Sequence, residues 1–356
     1  PLQLQGKDGL ALVNGTAAMT AIAALNDTTA ERAIACLMRL TVGHGELARG
    51  YRAAWHPRIA LAKPHPGQRE AARRLYELSA DSRRLGAGEN GPRNQAIGED
   101  TAVCLHQTAP QDPYTLRCAP QEFGAALDVL SFHRGTIEAE LNAASDNPLV
   151  DTEAGGIHHG GNFYGQHIAY AADALMMVTI KLAVFAERTI ARLADARFAA
   201  DRPPFLSGGR AGLDSGFMGA QVTATALVAE MRAKAIPAAI QSIATNADNQ
   251  DVVTLGTIAA RRGRDMLDLL WRILAIEALA VAQGMDLVRR AGGTLEDFSP
   301  SSQALYTQVR EISPYLAADR PLSGDIEALA QALGGTSLSP AGSAPSSEDR
   351  QAKRYR

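Results

Sequence analysis

Three polar side chains follow one another at three-residue intervals in a chain otherwise rich in alanine and leucine. They are Gln111, Tyr114 and Arg117, in the stretch QDPYTLRCAPQ. Asp112 followed by Pro113 is a helix-start signal, which predicts an aspartate cap and a proline in the first helical position. Tyr114 and Arg117 would then share one helix face. A guanidinium beside a helix N-terminus can bind a carboxylate ligand, and the alternative is an arginine paired with a structural carboxylate of the protein itself.

A second concentration of polar side chains precedes the longest apolar segment of the chain. Asn246, Asn249 and Gln250 have the i, i+3, i+4 spacing of one helix face. Amides in that position could hold a polar ligand by geometry without adding charge. The commoner use of such residues is helix capping, here by Asn246 or Asp248.

Two further motifs interrupt apolar segments. Asn14 and the glycine after it divide GLALVNGTAAM, where Asn-Gly normally indicates a turn. The stretch HHGGNFYGQH presents Phe163 and Tyr164 beside glycines that let the backbone approach a ligand closely. The histidines in that stretch have no carboxylate or thiolate at ligand spacing, so we predict no metal site. The sequence also has no GxSxG, HExxH, CxxC or glycine-rich phosphate loop, and conventional nucleophile chemistry is unsupported.

Composition narrows the possible partners. The 356 residues carry a net charge of −3, from 35 basic and 38 acidic residues, without a long run of one sign. This balance argues against a nucleic-acid groove or a membrane-surface patch. Three cysteines without a CxxC pair indicate a reducing compartment, so we predict a cytoplasmic protein. No apolar run reaches the roughly 20 uncharged residues of a membrane span. Because the chain begins with proline, we expect it to start inside a longer polypeptide, with trimming of a short leader as the alternative.

Helical periodicity dominates the chain. Residues 173–195 keep apolar side chains at three- and four-residue spacing, and residues 251–290 run for about forty positions without proline. Strand-like alternation is not evident, so the predicted fold is all-α, a bundle of long central helices. Residues 1–333 form this bundle in our interpretation. Residues 334–356 are small, polar and proline-bearing, which predicts a flexible tail.

Seven motifs occur in an order that resembles the aromatic amino-acid ammonia-lyases, namely the histidine, phenylalanine and tyrosine lyases and the related aminomutases. They are GKDGLALVNGT, PHPGQ, QDPYTLRCAPQ, SDNPLV, GGNFYGQ, GLDSGFMGAQVTATALVAEMR and TNADNQDVVTLGTIAARR. The last two are most similar to bacterial tyrosine ammonia-lyase. The resemblance implies the fold of the fumarase/histidine ammonia-lyase-like superfamily and a homotetramer whose active sites draw on several subunits. It also implies a prosthetic group, 4-methylidene-imidazole-5-one (MIO).

The resemblance further implies roles for the residues introduced above. Arg117 would bind the α-carboxylate of the substrate with help from Asn14, and Tyr114 would lie beside the prosthetic group and the amine. Gln111 would support that site, and Phe163 would pack near the prosthetic ring. The polar row on the opposite wall would be Asn246, Asn249 and Gln250. Histidine lyases carry a glutamate where this chain has Gln250, and an uncharged amide suits a phenyl or phenol ring.

The sequence departs from the family pattern at one point. Lyases of this family make MIO by cyclising an Ala-Ser-Gly tripeptide, and no Ala-Ser-Gly occurs in the 356 residues. Ser323 and Gly324 imitate part of that motif, but Ser323 is better interpreted as the N-cap of a final helix. In the family the tripeptide and a loop with a base tyrosine precede the GLALVNGT motif. We therefore expect this chain to be the C-terminal part of a larger subunit, inactive without the N-terminal portion of the same protein.

The predicted reaction is non-oxidative elimination of ammonia from an aromatic L-amino acid. Tyrosine, giving p-coumarate, is the first expectation, and phenylalanine is also plausible. Histidine ammonia-lyase and aromatic aminomutase activities are alternatives within the family. An inactive fragment or a helical structural subunit is the alternative outside it. The fumarase and aspartase lyases, which are also built of long helices, are disfavoured because their Ser-Ser-x-Met-Pro loop is absent.

Overall fold

The computed structural model describes residues 3–86, 111–198, 202–210 and 212–334. The predicted polar tail therefore lies outside the described residues beyond Gly334. The helices are α1 (Asp8–Val13), α2 (Ala17–Ala48), α3 (Pro57–Leu61), α4 (Pro66–Leu78), α5 (Tyr114–Arg117), α6 (Ala119–Leu141), α7 (Gln166–Ala194), α8 (Met218–Ala233), α9 (Gly256–Arg290), α10 (Pro300–Arg310) and α11 (Ser323–Gly334). The all-α prediction is confirmed, and a bundle of long helices forms the core.

Helices α2, α7 and α9 lie parallel, and all three begin at the same end of the bundle. A Cβ added at Gly165, just before α7, would lie 2.4 Å from the Met19 sulfur of α2. A Cβ added at Gly256, the first residue of α9, would lie 2.6 Å from the same sulfur. At the far end a Cβ added at Gly284 of α9 would meet the Leu47 side chain of α2 at 2.7 Å. The bundle therefore has a start end, where these helices begin around Met19, and a finish end near Leu47.

Helix α6 runs in the opposite direction to α2. The Asp27 carboxylate of α2 contacts two neighbouring residues of α6, with the His133 Nδ1 at 3.0 Å and an Arg134 guanidinium nitrogen at 2.6 Å. Both Asp27 and His133 are buried, so this polar contact replaces the water that either group would otherwise bind. It fixes the register of α6 against α2.

The long apolar helix of the prediction is α9, but its bounds differ. It begins at Gly256 and not at residue 251, because Leu255 has a left-handed backbone (φ 52°) that cannot continue a helix. Every residue from 270 to 286 is buried. α9 therefore lies inside the bundle and is surrounded on all sides, which is the burial that its all-round apolar composition predicted.

The shorter helices pack around this core. α4 lies against α6, where a Cβ added at Gly124 would meet the Gln68 backbone at 2.4 Å. α8 packs against α7, and the Thr225 hydroxyl donates to the Glu187 carboxylate at 2.8 Å. α10 and α11 close the side of the bundle formed by α2 and α9. The final helix begins at Ser323 itself, one residue earlier than an N-cap at that position would imply.

One hairpin interrupts the helices and was not predicted. Strands β1 (Leu149–Asp151) and β2 (Gly156–His158) are antiparallel, with Val150 opposite Ile157. Three-residue strands are too short to show an alternating pattern in the sequence, which is why none was evident. The Asp151 carboxylate accepts from the backbone N–H groups of Glu153 and Ala154 at 2.9 Å and so closes the turn.

Two helical stretches of the described chain are long and apolar enough to cross a bilayer by length and composition. In α7 the most apolar window is 67% buried within the bundle, so its hydrophobicity is used for packing. In residues 8–48 the corresponding window is only 17% buried. Apolar surface is thus concentrated at the start end, where Leu12 (73% exposed) and Val13 (84% exposed) lie.

Candidate active site

Tyr114 and Arg117 belong to a single helical turn, α5, but Asp112 does not cap it. Pro113 occupies the N-cap position, without a side-chain cap, and α5 begins at Tyr114. The Asp112 carboxylate instead accepts the backbone N–H of Tyr51 at 2.7 Å. The prediction of an aspartate cap is wrong because the helical turn begins at Tyr114, which makes Pro113 the N-cap residue and leaves Asp112 one position before the cap. Gln111 precedes this segment and is exposed.

The Arg117 guanidinium lies over the Tyr114 ring, with its central carbon 4.5 Å from the ring centroid. The Arg117 Nε is buried and has no hydrogen-bond partner in the part of the chain that the structure describes. Within the described residues no carboxylate pairs with Arg117, so the structural ion pair that was the alternative is not found there. Tyr114 is 68% exposed. The pair presents an uncompensated cation, held against an aromatic face, at the protein surface.

Asn14 ends α1 at the start end of the bundle. Its backbone N–H donates to the Leu10 carbonyl at 2.8 Å. The next residue, Gly15, lies so close to the SDNPLV loop that an added Cβ would be 2.9 Å from the Ser145 carbonyl oxygen. Lys7 binds Asp146 of that loop at 2.6 Å and lowers the pKa of its carboxyl group. A turn at Asn14, the simpler expectation, is therefore present and is braced by a second family motif.

Phe163 lies in the loop that leads into α7 and is half-buried. The Asn147 side-chain oxygen accepts the Gly160 N–H at 2.7 Å, which links this loop to the SDNPLV loop. Gly165, two residues after Phe163, touches Met19 as described above. Asn14 and Phe163 are thus held by neighbouring loops at the same end of the bundle.

Asn246, Asn249 and Gln250 do not form a stripe on a helix. Three consecutive residues are left-handed, with φ of 54° at Asn246, 49° at Ala247 and 62° at Asp248. Thr245 and Gln250 close this loop through two backbone hydrogen bonds of 2.9 and 3.2 Å. Side-chain oxygens of the same two residues are 2.8 Å apart. The helical interpretation is wrong, and so is capping by Asn246 or Asp248, because the loop ends well before α9 begins.

Such a loop is costly for residues other than glycine, and strained backbone of this kind concentrates at functional sites. All three amide side chains are exposed. The loop precedes Gly256, which contacts Met19, so it belongs to the start end together with Asn14 and Phe163. A single chain therefore brings three of the predicted elements together there.

Tyr114 and Arg117 lie at the other end. A Cβ added at Gly50, just beyond α2, would be 3.1 Å from Leu116 and 3.3 Å from the Asp112 carboxylate. α2 contains 32 residues, so at 1.5 Å per residue its ends are about 48 Å apart. Asn14 precedes one end and Arg117 flanks the other. No amino-acid ligand can contact both residues of the same chain.

Met19, Gly165 and Gly256 were not singled out from the sequence. Each glycine lies at the start of a long helix, and that position is the sequence feature that could have indicated a close helix contact. Gly165 and Gly256 both lie close to the Met19 thioether, and this contact brings together the segments that carry Asn14, Phe163 and the 245–250 loop. Among the described residues no cluster of three or more His, Cys, Asp or Glu side chains is placed to hold a metal ion.

Two titratable groups inside the bundle were also not anticipated. Burial raises the pKa of Glu277, midway along α9, well above its usual value, and neither carboxyl oxygen has a hydrogen-bond partner among the described residues. Burial, together with the charges of Arg192 and Arg202, lowers the pKa of His44 to about 3. Burial therefore favours the neutral form of both groups, and neither contacts a predicted site residue.

The fold and its loops define a class of protein: a bundle of long helices with polar loops at both ends. The family model for aromatic amino acid lyases matches residues 1–311. The chain belongs to the aromatic amino acid lyase family.

Similar proteins support this assignment. The chain is 48% identical to a tyrosine ammonia-lyase of Cereibacter sphaeroides over 94% of its own length and 63% of the relative. It is 41% identical to a tyrosine ammonia-lyase of Cupriavidus metallidurans, covering 94% of this chain and 62% of that protein. The crystal structure of a tyrosine aminomutase from Streptomyces globisporus superposes with a TM-score of 0.85 at 37% identity, over 94% of this chain and 63% of that one. The chain spans less than two thirds of the length of these relatives.

Proposed function

We propose that the complete protein eliminates ammonia from an aromatic L-amino acid without oxidation, converting tyrosine to p-coumarate and also accepting phenylalanine. The observation that carries this proposal is the uncompensated Arg117 guanidinium stacked on Tyr114 at the surface. The names of the two similar tyrosine ammonia-lyases favour tyrosine as the first substrate. The activity belongs to the whole protein, of which this chain is a part.

In this proposal Arg117 binds the α-carboxylate of the substrate. Its planar guanidinium can donate two parallel hydrogen bonds, which fixes both the position and the orientation of the amino acid. Tyr114 restricts the guanidinium from one side and places a phenol hydroxyl beside the bound amine. Asn14, whose side-chain amide has no partner within the described residues, adds a neutral donor for the same carboxylate.

The substrate site is proposed to form between copies of the chain in a homotetramer. Because Arg117 and Asn14 lie at opposite ends of α2, a site that uses both needs the finish end of one copy beside the start end of another. Apolar side chains are exposed near the start end and favour such packing: Ile240 (73%), Ile243 (72%) and Val252 (57%). An exposed apolar surface of this kind marks a protein interface.

The start end is also where the MIO group would be bound. Three long helices, α2, α7 and α9, direct their N-termini towards the region around Met19, and helix N-termini carry partial positive charge. Such an environment suits an electron-accepting group, so the residues present fit it. When bound, the group supplies the electrophile that no natural side chain offers. We propose that it forms in the N-terminal portion of the protein, since residues 1–356 contain no Ala-Ser-Gly.

The residues of this chain would then bind and orient the substrate around that group. Phe163 packs against the aromatic ring, and the 245–250 loop provides neutral amides for the ring substituent. Gln250 contributes an uncharged side chain, which suits a phenol better than an imidazolium. Gln111 stands beside the Arg117 segment and supports it.

The test is a direct assay of the complete protein with tyrosine, phenylalanine and histidine, following absorbance of the unsaturated acid and release of ammonia. We expect p-coumarate to form fastest. Residues 1–356 purified without the N-terminal portion should be inactive. Absence of ammonia release from all three amino acids would contradict the proposal.

A tyrosine 2,3-aminomutase is the second candidate function. A Streptomyces globisporus enzyme of that name is 39% identical over 94% of this chain. An aminomutase would return ammonia to the β-carbon. Formation of β-tyrosine in place of free p-coumarate would favour this second function, and chromatography of the reaction mixture distinguishes the two.

A further inference from the structure

A cavity of the described chain lies on the flank of the bundle, and none of the predicted site residues lines it. It has a volume of about 400 Å³ and lies between α2, α4 and the beginning of α10. That volume is within the range of small-molecule pockets. The lining is mostly apolar and includes Ala35, Met38, Leu78 and Pro300 from these helices and Ala80 from the turn after α4.

The charged side chains that line this cavity differ in whether an oppositely charged partner neutralises them. Arg39 lines it from α2, is half-buried, and makes no hydrogen bond or ion pair within the described residues. Arg74 lines it from α4 and uses its Nε to bind Glu70 at 2.6 Å. The acidic lining residue, Glu77, is neutralised by Arg73 at 2.6 Å. The cavity therefore carries an excess positive charge centred on Arg39.

A buried hydroxyl adds a donor on the opposite wall. Ser301 lines the cavity from α10, and its buried Oγ has no hydrogen-bond partner among the described residues. A buried polar atom without a partner costs free energy unless a ligand or water satisfies it. Arg39 and Ser301 together can donate hydrogen bonds to the two oxygens of a carboxylate.

We propose that this cavity, named here the Arg39 groove, binds an aromatic monocarboxylate that carries no ammonium group. The carboxylate pairs with Arg39, and the flat apolar body lies on the half-buried side chains of Ala35 and Leu78 and on the guanidinium plane of Arg74, since guanidinium planes contact aromatic rings favourably. An α-ammonium group would be repelled by Arg39 and Arg74 at close range. The groove thus discriminates against the amino acid and in favour of its deaminated acid.

The identity of the natural ligand rests on the proposed function. If the protein eliminates ammonia from tyrosine, p-coumarate is an aromatic monocarboxylate without an ammonium group and is produced by the same molecule. With p-coumarate bound, the Arg39 groove would be a product-binding site between α2 and α4, separate from the substrate site.

The experiment measures binding of radiolabelled p-coumarate to the complete protein by equilibrium dialysis. We expect Arg39→Gln to weaken one class of sites by about tenfold or more, since a hydrogen bond to a charged group is lost. Ala80→Glu, which places a carboxylate in the groove and leaves Arg39 intact, should weaken the same class. Arg69→Gln, an exposed arginine of α4 with no bonded partner in the described chain, is the matched control and should change nothing.

Competing ligands separate the chemical requirements. L-Tyrosine, tested in an Asn14→Ala protein so that it is not converted to p-coumarate, and cinnamyl alcohol should each compete at least about tenfold more weakly than p-coumarate for the sites that depend on Arg39. L-Tyrosine carries an ammonium group, and cinnamyl alcohol lacks the carboxylate. Equal competition by octanoate would overturn the aromatic requirement. Binding unaffected by both groove variants would overturn the site.

Arg117→Lys distinguishes this proposal from the proposed function. Binding in the Arg39 groove should persist in that variant, whereas binding at the substrate site should weaken. A single class of sites that is lost with Arg117→Lys and unchanged by Arg39→Gln would contradict the groove and leave the lyase proposal standing. Binding that depends on Arg39 in a protein without lyase activity would support the groove and contradict the lyase proposal.

Discussion

Asn14 and Arg117 lie at opposite ends of one 32-residue helix, about 48 Å apart along its axis. The same chain cannot place both against one substrate. If both residues contact one substrate, different chains must supply them.

Mixing of inactive variants tests the shared site. Asn14→Ala and Arg117→Ala should each be nearly inactive in the complete protein. Refolded together in equal amounts, they should recover about a quarter of wild-type activity, because half of the chains carry each intact residue and one half multiplied by one half of the sites receives both. Steady-state p-coumarate formation measures the recovery. Mixed samples that remain as inactive as the single variants would show that one chain supplies both residues.

Arg117→Lys tests the carboxylate contact itself. Lysine keeps the charge but not the planar pair of donors, so kcat/KM for tyrosine should fall roughly 10- to 150-fold, the equivalent of about 1.5 to 3 kcal/mol. Tyramine, which lacks the carboxylate, should be a very poor substrate and lose little more. The control is Arg58→Lys on the exposed surface of α3. A change within twofold for tyrosine would remove Arg117 from the substrate site.

Glu277→Gln should stabilise the folded protein at neutral pH. Because the folded-state pKa of Glu277 is raised, the native bundle keeps a proton that the unfolded chain releases. The wild type therefore loses stability as pH rises above about 4.5, by roughly 1.4 kcal/mol per pH unit until the raised pKa is reached. Glutamine resembles the neutral acid and has no such loss.

The difference in melting temperature between Glu277→Gln and wild type should therefore be small at pH 4.5 and increase towards pH 7. Glu311→Gln, at an exposed position without an ion pair in the described chain, provides the pH-independent comparison. If the difference for Glu277→Gln were constant across this range, the carboxyl group would be ionised in the native protein.

Gly165→Ala should destabilise the start end by overpacking. The new methyl group would lie 2.4 Å from the Met19 sulfur and 3.1 Å from the Thr16 methyl carbon. Forced overpacking typically costs about 1 to 3 kcal/mol. Gly160→Ala, where nothing lies within 4 Å of the added Cβ, is the control and should be nearly neutral.

Removing the obstacle should recover part of that loss. Met19→Ala leaves a cavity and is destabilising by itself, but the double variant Gly165→Ala, Met19→Ala should cost less than the sum of the two single changes. Urea unfolding of all four proteins measures the coupling. Strict additivity would mean that Met19 and Gly165 do not touch in solution.

Local sequence patterns predicted the long helices because periodicity and composition are properties of neighbouring residues. α9 is buried over residues 270–286, as its all-round apolar composition required. Local patterns failed where short-range chemistry has two solutions. Asp112 had the sequence of a helix cap and instead binds the Tyr51 backbone, and residues 246–250 had helical spacing but adopt a left-handed loop. In both cases the conformation of the surrounding backbone, which the local sequence does not fix, decides which of the two solutions forms.

The sequence by itself determined the helical class, the family resemblance and the residue types that could recognise an amino acid. These properties depend only on the order and the chemical types of the residues. Only the tertiary structure decided where those residues stand. It grouped Asn14, Phe163 and the 245–250 loop around Met19 and carried Tyr114 and Arg117 to the other end of α2. The physical reason is the rigidity and length of a packed helix, which converts a separation along the chain into a fixed distance in space.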